Sequence, residues 1–212
     1  QDYKEALIKH AARFGFDPDE VSQMKQPVVV RRLNVDKDRA IVLGVKGNKD
    51  QKLSQSKTET AVAYSRLIKP PAANQIGAGL ERTMNEMKAK HLDRGGTEEE
   101  FNPTINQILD KGGFDLFRTL QRHKIVDDNE TELFYDTTKN MMTPDQKRKV
   151  TDILTQYTLG ETAAAAWDEA YDKTRESIQQ SLGSILTLKD SKFDLSGEIA
   201  QVVSLQGEFR RI

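Results

Sequence analysis

A mainly helical protein, a multi-helix domain with one short β-hairpin at residues about 28–45, is the fold class this sequence predicts. Three observations carry that expectation. From Leu80 onward, apolar residues recur at three- and four-residue intervals between glycine and proline stops. Hydrophobic residues are 36% and charged residues 31%, a balance that suits amphipathic helices with ionised outer faces. Near the N-terminus, two β-branched runs, VVVRRLNV (28–35) and AIVLGV (40–45), flank the polar connector DKDR.

In chain order, DYKEALIKHAARF (2–14) sets Leu7, Ile8, Ala11 and Ala12 on one helical face and stops at Gly15. Asp17 is placed to cap a second short helix with Pro18 at its first position, where proline lacks a donor the helix would not use. The hairpin follows, then KGNKDQKLSQS (46–56), polar enough to read as an exposed loop. A helix is expected from about Thr58 to Ile68. KPPAANQIGAG then reads as a connector. The expected division is 1–69 (helices, basic hairpin and loop), 70–79 (connector) and 80–212 (helical domain).

Within the last part, Leu80, Met84 and Met87 keep helical spacing up to Gly95-Gly96, and Ile105, Ile108 and Leu109 open another helix. Thr143, Pro144 and Gln146 form a helix-start signature, with Gly160 expected as the stop. ETAAAAWDEAYDKTRESIQQSLGSIL reads as one long helix. In it, Trp167 and Tyr171 stand four apart as core or interface anchors. At the C-terminus Leu195, Ile199, Val202 and Phe209 are expected to form one apolar stripe, buried against a partner or the core.

Charge is segregated. Lys25 to Lys69 carries eleven Lys and Arg against four acids, whereas the remainder is acidic and the whole chain nets −1. Arg31, Arg32, Arg39, Lys46, Lys49 and Lys52 are the candidate contacts for a polyanion, because lysines and arginines along a ribbon neutralise phosphates and release counterions. The same residues serve equally as guards of an exposed sheet edge. No Phe, Tyr or Trp lies between Phe16 and Tyr64, which removes the stacking platforms of single-strand readers.

Motifs for chemistry were tested by spacing. Gly44 and Gly47 have two residues between them rather than four, and Asp50 stands where a P-loop needs Ser or Thr. Asp127 and Asn129 begin like a calcium loop, but Glu132 replaces its glycine and Thr138 its bidentate glutamate. His10, His91 and His123 have no histidine partner at i+3 or i+4, and there is no cysteine. A helix-turn-helix around Gly160 would present Glu161, Asp168, Glu169 and Asp172 to phosphates. No catalytic residue, cofactor or metal site is therefore assigned.

The function this supports is a non-catalytic structural or interaction protein, a subunit or excised domain of a larger assembly, a virion-type one included, with a protein partner or self-association. Two alternatives stand beside it: a nucleocapsid-like nucleic-acid binder using residues 25–69, and an enzyme whose site has no local motif. No apolar run approaches the roughly 18 to 20 residues of a membrane span. A soluble, cysteine-free chain fits a reducing compartment or a virion. The chain begins at Gln1, which reads as a processed chain or a piece of a longer one.

Overall fold

The structure, a computed structural model, describes residues 5, 8–15, 17–23, 35–47 and 57–211, with the side chains of residues 14, 43–47, 57–58 and 211 set aside. Two compact units divide the chain, Gln1–Val35 and Asp36–Ile212. Among the described residues the architecture is helical, and the one β-type pairing is an isolated antiparallel bridge between Asp136 and Met141.

In the first unit, a 3-10 turn over Ala11–Phe14 ends at Gly15, whose φ of 78° is one a glycine adopts freely. Helix α1 (Pro18–Gln23) starts as its sequence signal directs, with the Asp19 N–H donating to Asp17 Oδ1 at 2.9 Å. Ala11 and Val21 are buried.

The second unit opens with a correction. Residues 40–45, expected as the second hairpin strand, lie within helix α2 (Lys37–Gly47). The connector before them is the helix start: Asp36 Oδ1 accepts the Arg39 N–H at 2.9 Å and so caps the first turn. Val42 is then buried and Ile41 packs beside it against helix α3 (Lys57–Ser65). A cap plus tertiary burial outweighs the strand preference of a β-branched run, a preference that depends on having a neighbouring strand. Of the first expected strand, residues 28–35, only Val35 is among the described residues, and it is not in a strand.

Residues 70–79, expected as a connector, form the opening turns of helix α4 (Pro70–Asp93). Its two leading prolines are compatible with a first helical turn, and Ala72, Ala73, Ile76 and Gly77 are buried. Helix α5 (Ile105–Arg122) packs on α4 and presents Ile108, Leu109, Leu116, Phe117 and Leu120 inward. Thr104 and Gln107 close a reciprocal capping box at its start. After a 3-10 turn (Asp128–Glu130) come the single-turn helix α6 (Thr131–Phe134) and helix α7 (Pro144–Ala165).

Helix α7 begins where the sequence says it should, with Thr143 and Gln146 bonded in a capping box and Pro144 at the first position. It does not end at Gly160. The chain bends there, at φ 76° and ψ 174°, and resumes helical turns to Ala165. What reads as one long Ala-rich helix is divided into a 3-10 turn (Trp167–Glu169), helix α8 (Asp172–Gln180) and helix α9 (Leu182–Leu188). Helix α10 (Ser196–Arg211) closes the unit against α7.

Two apolar clusters hold these helices. The larger joins α2 to α7 and α9 through residues such as Ile76, Leu109, Phe134, Leu154 and Leu186. The smaller joins the end of α7 to α8 and α10 through Leu159, Ala163, Ala170, Ile178 and Val203.

Candidate functional site

Helix α10 carries two apolar faces. The inner face sets Val203 at zero exposure, with Ile199 and Ala200 packed beside it. Gly207 lies so near the preceding 3-10 turn that a Cβ built there would stand 2.8 Å from the Ala166 Cβ. Gln206 fixes the rotation of the helix: its Oε1 accepts the Tyr171 N–H and its Nε2 donates to Thr174 Oγ1, both at 3.1 Å.

With the inner face held, the outer face is left to solvent. Leu195, Val202, Leu205 and Phe209 are 61, 48, 52 and 72% exposed, with Phe193 exposed beside the helix start. The positions 195, 202 and 209 repeat every seven residues and Leu205 falls between the last two. That is the spacing of a seam meeting another helix. Scattered exposed leucines are ordinary, whereas a contiguous row on one helix is the surface pattern of an interaction site.

The single stripe expected from the sequence is therefore divided. Ile199 belongs to the inner face, while Leu195, Val202 and Phe209 belong to the outer one. Leu205 was missed, although its spacing of three from Val202 and four from Phe209 was legible. Trp167 is half-buried against the smaller cluster. Tyr171 is half-exposed, with the Arg210 guanidinium 4.9 Å from its ring centre.

The polyanion candidates are not brought together among the described residues. Arg31, Arg32, Lys49 and Lys52 lie outside them, and Lys46 falls in the last turn of α2. Arg39 is turned inward, where it pairs with Asp127 and reaches Glu130 Oε2 at 3.5 Å. Glu130 is almost wholly buried. Its Oε1 accepts the Tyr64 hydroxyl at 2.9 Å and its Oε2 accepts the Asp127 N–H at 2.7 Å. Burial pushes the Tyr64 phenol up to about 12, against a smaller downward pull from the Arg39 charge. This cluster ties α2, α3 and the turn before α6 together. Its sequence signal was the pair Asp127 and Glu130, three apart, which the structure makes a capping box.

No group of three or more potential metal ligands occurs among the described residues, and none of their helices is long and apolar enough to cross a membrane. No protein-family model, curated protein or solved structure matches this chain.

Proposed function

We propose that this is a non-catalytic interaction protein that builds an assembly through the outer face of α10. The exposed row Leu195, Val202, Leu205 and Phe209, on a helix whose rotation is pinned from behind by Gln206, is the observation that carries the reading. Covering such a row removes apolar surface from water at about 25 cal/mol per Å².

The partner this face fits is a second copy of the chain, paired antiparallel. Asp190, Asp194 and Glu198 outnumber Lys189 and Lys192 at the N-terminal end, and two arginines, Arg210 and Arg211, outnumber Glu208 at the C-terminal end. Antiparallel pairing about the middle of the row sets the acidic end of one copy against the arginines of the other. Parallel pairing sets like against like, which disfavours it. A single-helix seam is smaller than a standard interface, so a dissociation constant on the order of micromolar is expected.

Sedimentation equilibrium over two decades of protein concentration tests this. The wild-type chain is expected to pass from monomer to dimer, and the double variant Val202→Asp, Phe209→Asp to remain monomeric. Because both side chains face water in the monomer, its unfolding free energy should change by less than about 0.5 kcal/mol. A wild-type chain that stays monomeric throughout overturns the reading.

A further inference from the structure

A cleft of about 630 Å³ lies where the end of α4 meets the start of α5. Met87, Phe101 and Pro103 give it an apolar surface. The His91 ring stands 5.7 Å from the Phe101 ring centre, held by a hydrogen bond between its Nε2 and the Thr97 carbonyl oxygen at 3.1 Å. Three exposed cations share this lining, Lys90 and Arg94 from the end of α4 and Lys111 from α5.

The charge of the cleft is not balanced from within. None of the three cations forms an ion pair among the described residues. Neighbouring acids are engaged elsewhere or stand outside the lining: Glu98 pairs with Lys88 at 3.0 Å and Asp110 with Lys147, while Asp93 and Glu99 do not line the cleft. Glu100 is the one carboxylate that does, and its Oε2 accepts the Thr97 N–H at 3.0 Å. Cations at the end of α4 answer that helix's dipole. Lys111 belongs to the N-terminal half of α5 and answers no such end. Lys90 and Arg94, four apart on one helix face, also repel each other.

The neutral polar groups point to the same kind of ligand. Gln107 Oε1 accepts the Thr104 N–H at 2.8 Å, and Asn102 Oδ1 accepts the Gln180 amide at 2.5 Å. Both side chains line the cleft with their oxygens engaged, which leaves their NH2 groups to donate. Cations and amide donors beside an apolar surface suit a ligand with an oxyanion at one end and a flat apolar body at the other. A carboxylate brings a single charge. A phosphate monoester brings about −1.5 to −2 and three acceptor oxygens, which matches three unpaired cations better.

We propose that this cleft binds a small aromatic phosphate monoester, its phosphate among Lys90, Arg94 and Lys111 and its ring against Phe101 and Met87. The cleft is built without α10, so it is independent of the assembly seam.

Phenyl phosphate is a minimal probe with both parts, and chemical-shift titration of the isotope-labelled full chain at low ionic strength is the test. Saturable shifts centred on amides of the cleft are expected, with a dissociation constant on the order of 0.1–1 mM, the range a ligand of so few atoms reaches. Benzoate and inorganic phosphate, which each lack one part, should bind at least about fivefold more weakly. Arg94→Gln and Lys111→Gln should each weaken phenyl phosphate by about three- to tenfold with unchanged circular dichroism, since both side chains are exposed and without an ion pair in the free protein. Shifts that never saturate overturn the proposal, as does a folded triple variant, Lys90→Gln, Arg94→Gln, Lys111→Gln, that binds as the wild type does. Benzoate binding as tightly as phenyl phosphate overturns the assignment of a phosphate. Inorganic phosphate binding as tightly overturns the place given to the ring.

Discussion

Gly77 and Gly79 stand two residues apart on α4, and a methyl group at each should act in opposite directions. A Cβ at Gly77 would meet Thr187 Oγ1 at 2.5 Å, the Gly183 carbonyl oxygen at 2.6 Å and the Thr187 nitrogen at 2.8 Å. Two of those atoms are backbone and cannot rotate away, so α9 would have to move off α4. At Gly79 nothing lies within 4 Å. Gly77→Ala is expected to lower the unfolding free energy by about 1–3 kcal/mol, and Gly79→Ala to raise it by up to about 1 kcal/mol through helix propensity. Urea denaturation of the two variants side by side measures the difference. Equal effects would mean that the α4–α9 approach is looser than the structure has it.

Tyr64 gives a second prediction at the same scale. Its phenol is neutral in the folded state up to about 12 but titrates near its ordinary value of 10.0 once unfolded. Between those values the unfolded chain releases a proton that the folded chain keeps, so stability is fully present below about pH 10. It is lost as pH rises through the folded value. The contribution of this one group should fall by roughly 2–3 kcal/mol across that window. Tyr64→Phe should flatten the pH profile there and cost roughly 1–3 kcal/mol at neutral pH, because buried Glu130 loses the hydroxyl donor. A profile that is unchanged in Tyr64→Phe would show that the alkaline loss comes from elsewhere.

At the scale of elements, helix starts and helix bends obey different rules. The start of α7 is local: Thr143 Oγ1 accepts the Gln146 N–H and Gln146 Oε1 accepts the Thr143 N–H, within one turn. Thr143→Ala should cost about 1 kcal/mol, readable as a lower urea midpoint at constant slope. The bend at Gly160 is sustained by what lies across it. Its φ of 76° with ψ of 174° is a region that other residues enter only under strain. Gly160→Ala is expected to cost about 1–3 kcal/mol and to shift the Trp167 emission, because straightening the helix carries that ring away from Gln156. An emission spectrum that does not move would show that the bend persists without the glycine.

For the whole molecule, both apolar clusters are built from residues of the second unit, running from Val42 to Val203. A chain of residues 36–212 is therefore expected to fold alone and to unfold in one cooperative transition, since a domain needs its own core and little else. Circular dichroism and calorimetry of that fragment would report it. Loss of the cooperative transition would mean that the first 35 residues complete a core. The fragment retains the α10 seam, so it should also dimerise with the affinity of the full chain.

The sequence by itself determined the helical class, the Asp17–Pro18 start of α1 and the Thr143–Gln146 start of α7. Those signals act within a turn of backbone, between groups that are neighbours whatever the rest of the chain does. Tertiary structure decided that residues 40–45 are helix, that residues 70–79 belong to α4, and that Ile199 faces inward while Leu195, Val202 and Phe209 face out. It also brought Thr155 and Gln156 to one pocket with Trp167. Each of these outcomes depends on groups distant in sequence: Glu130 drawing Arg39 inward, Gly183 admitting Gly77, Gln206 holding α10, and the bend at Gly160 returning the chain onto α7. Spacing within a helix says which residues share a face. Which face is buried follows from what the folded chain brings against it.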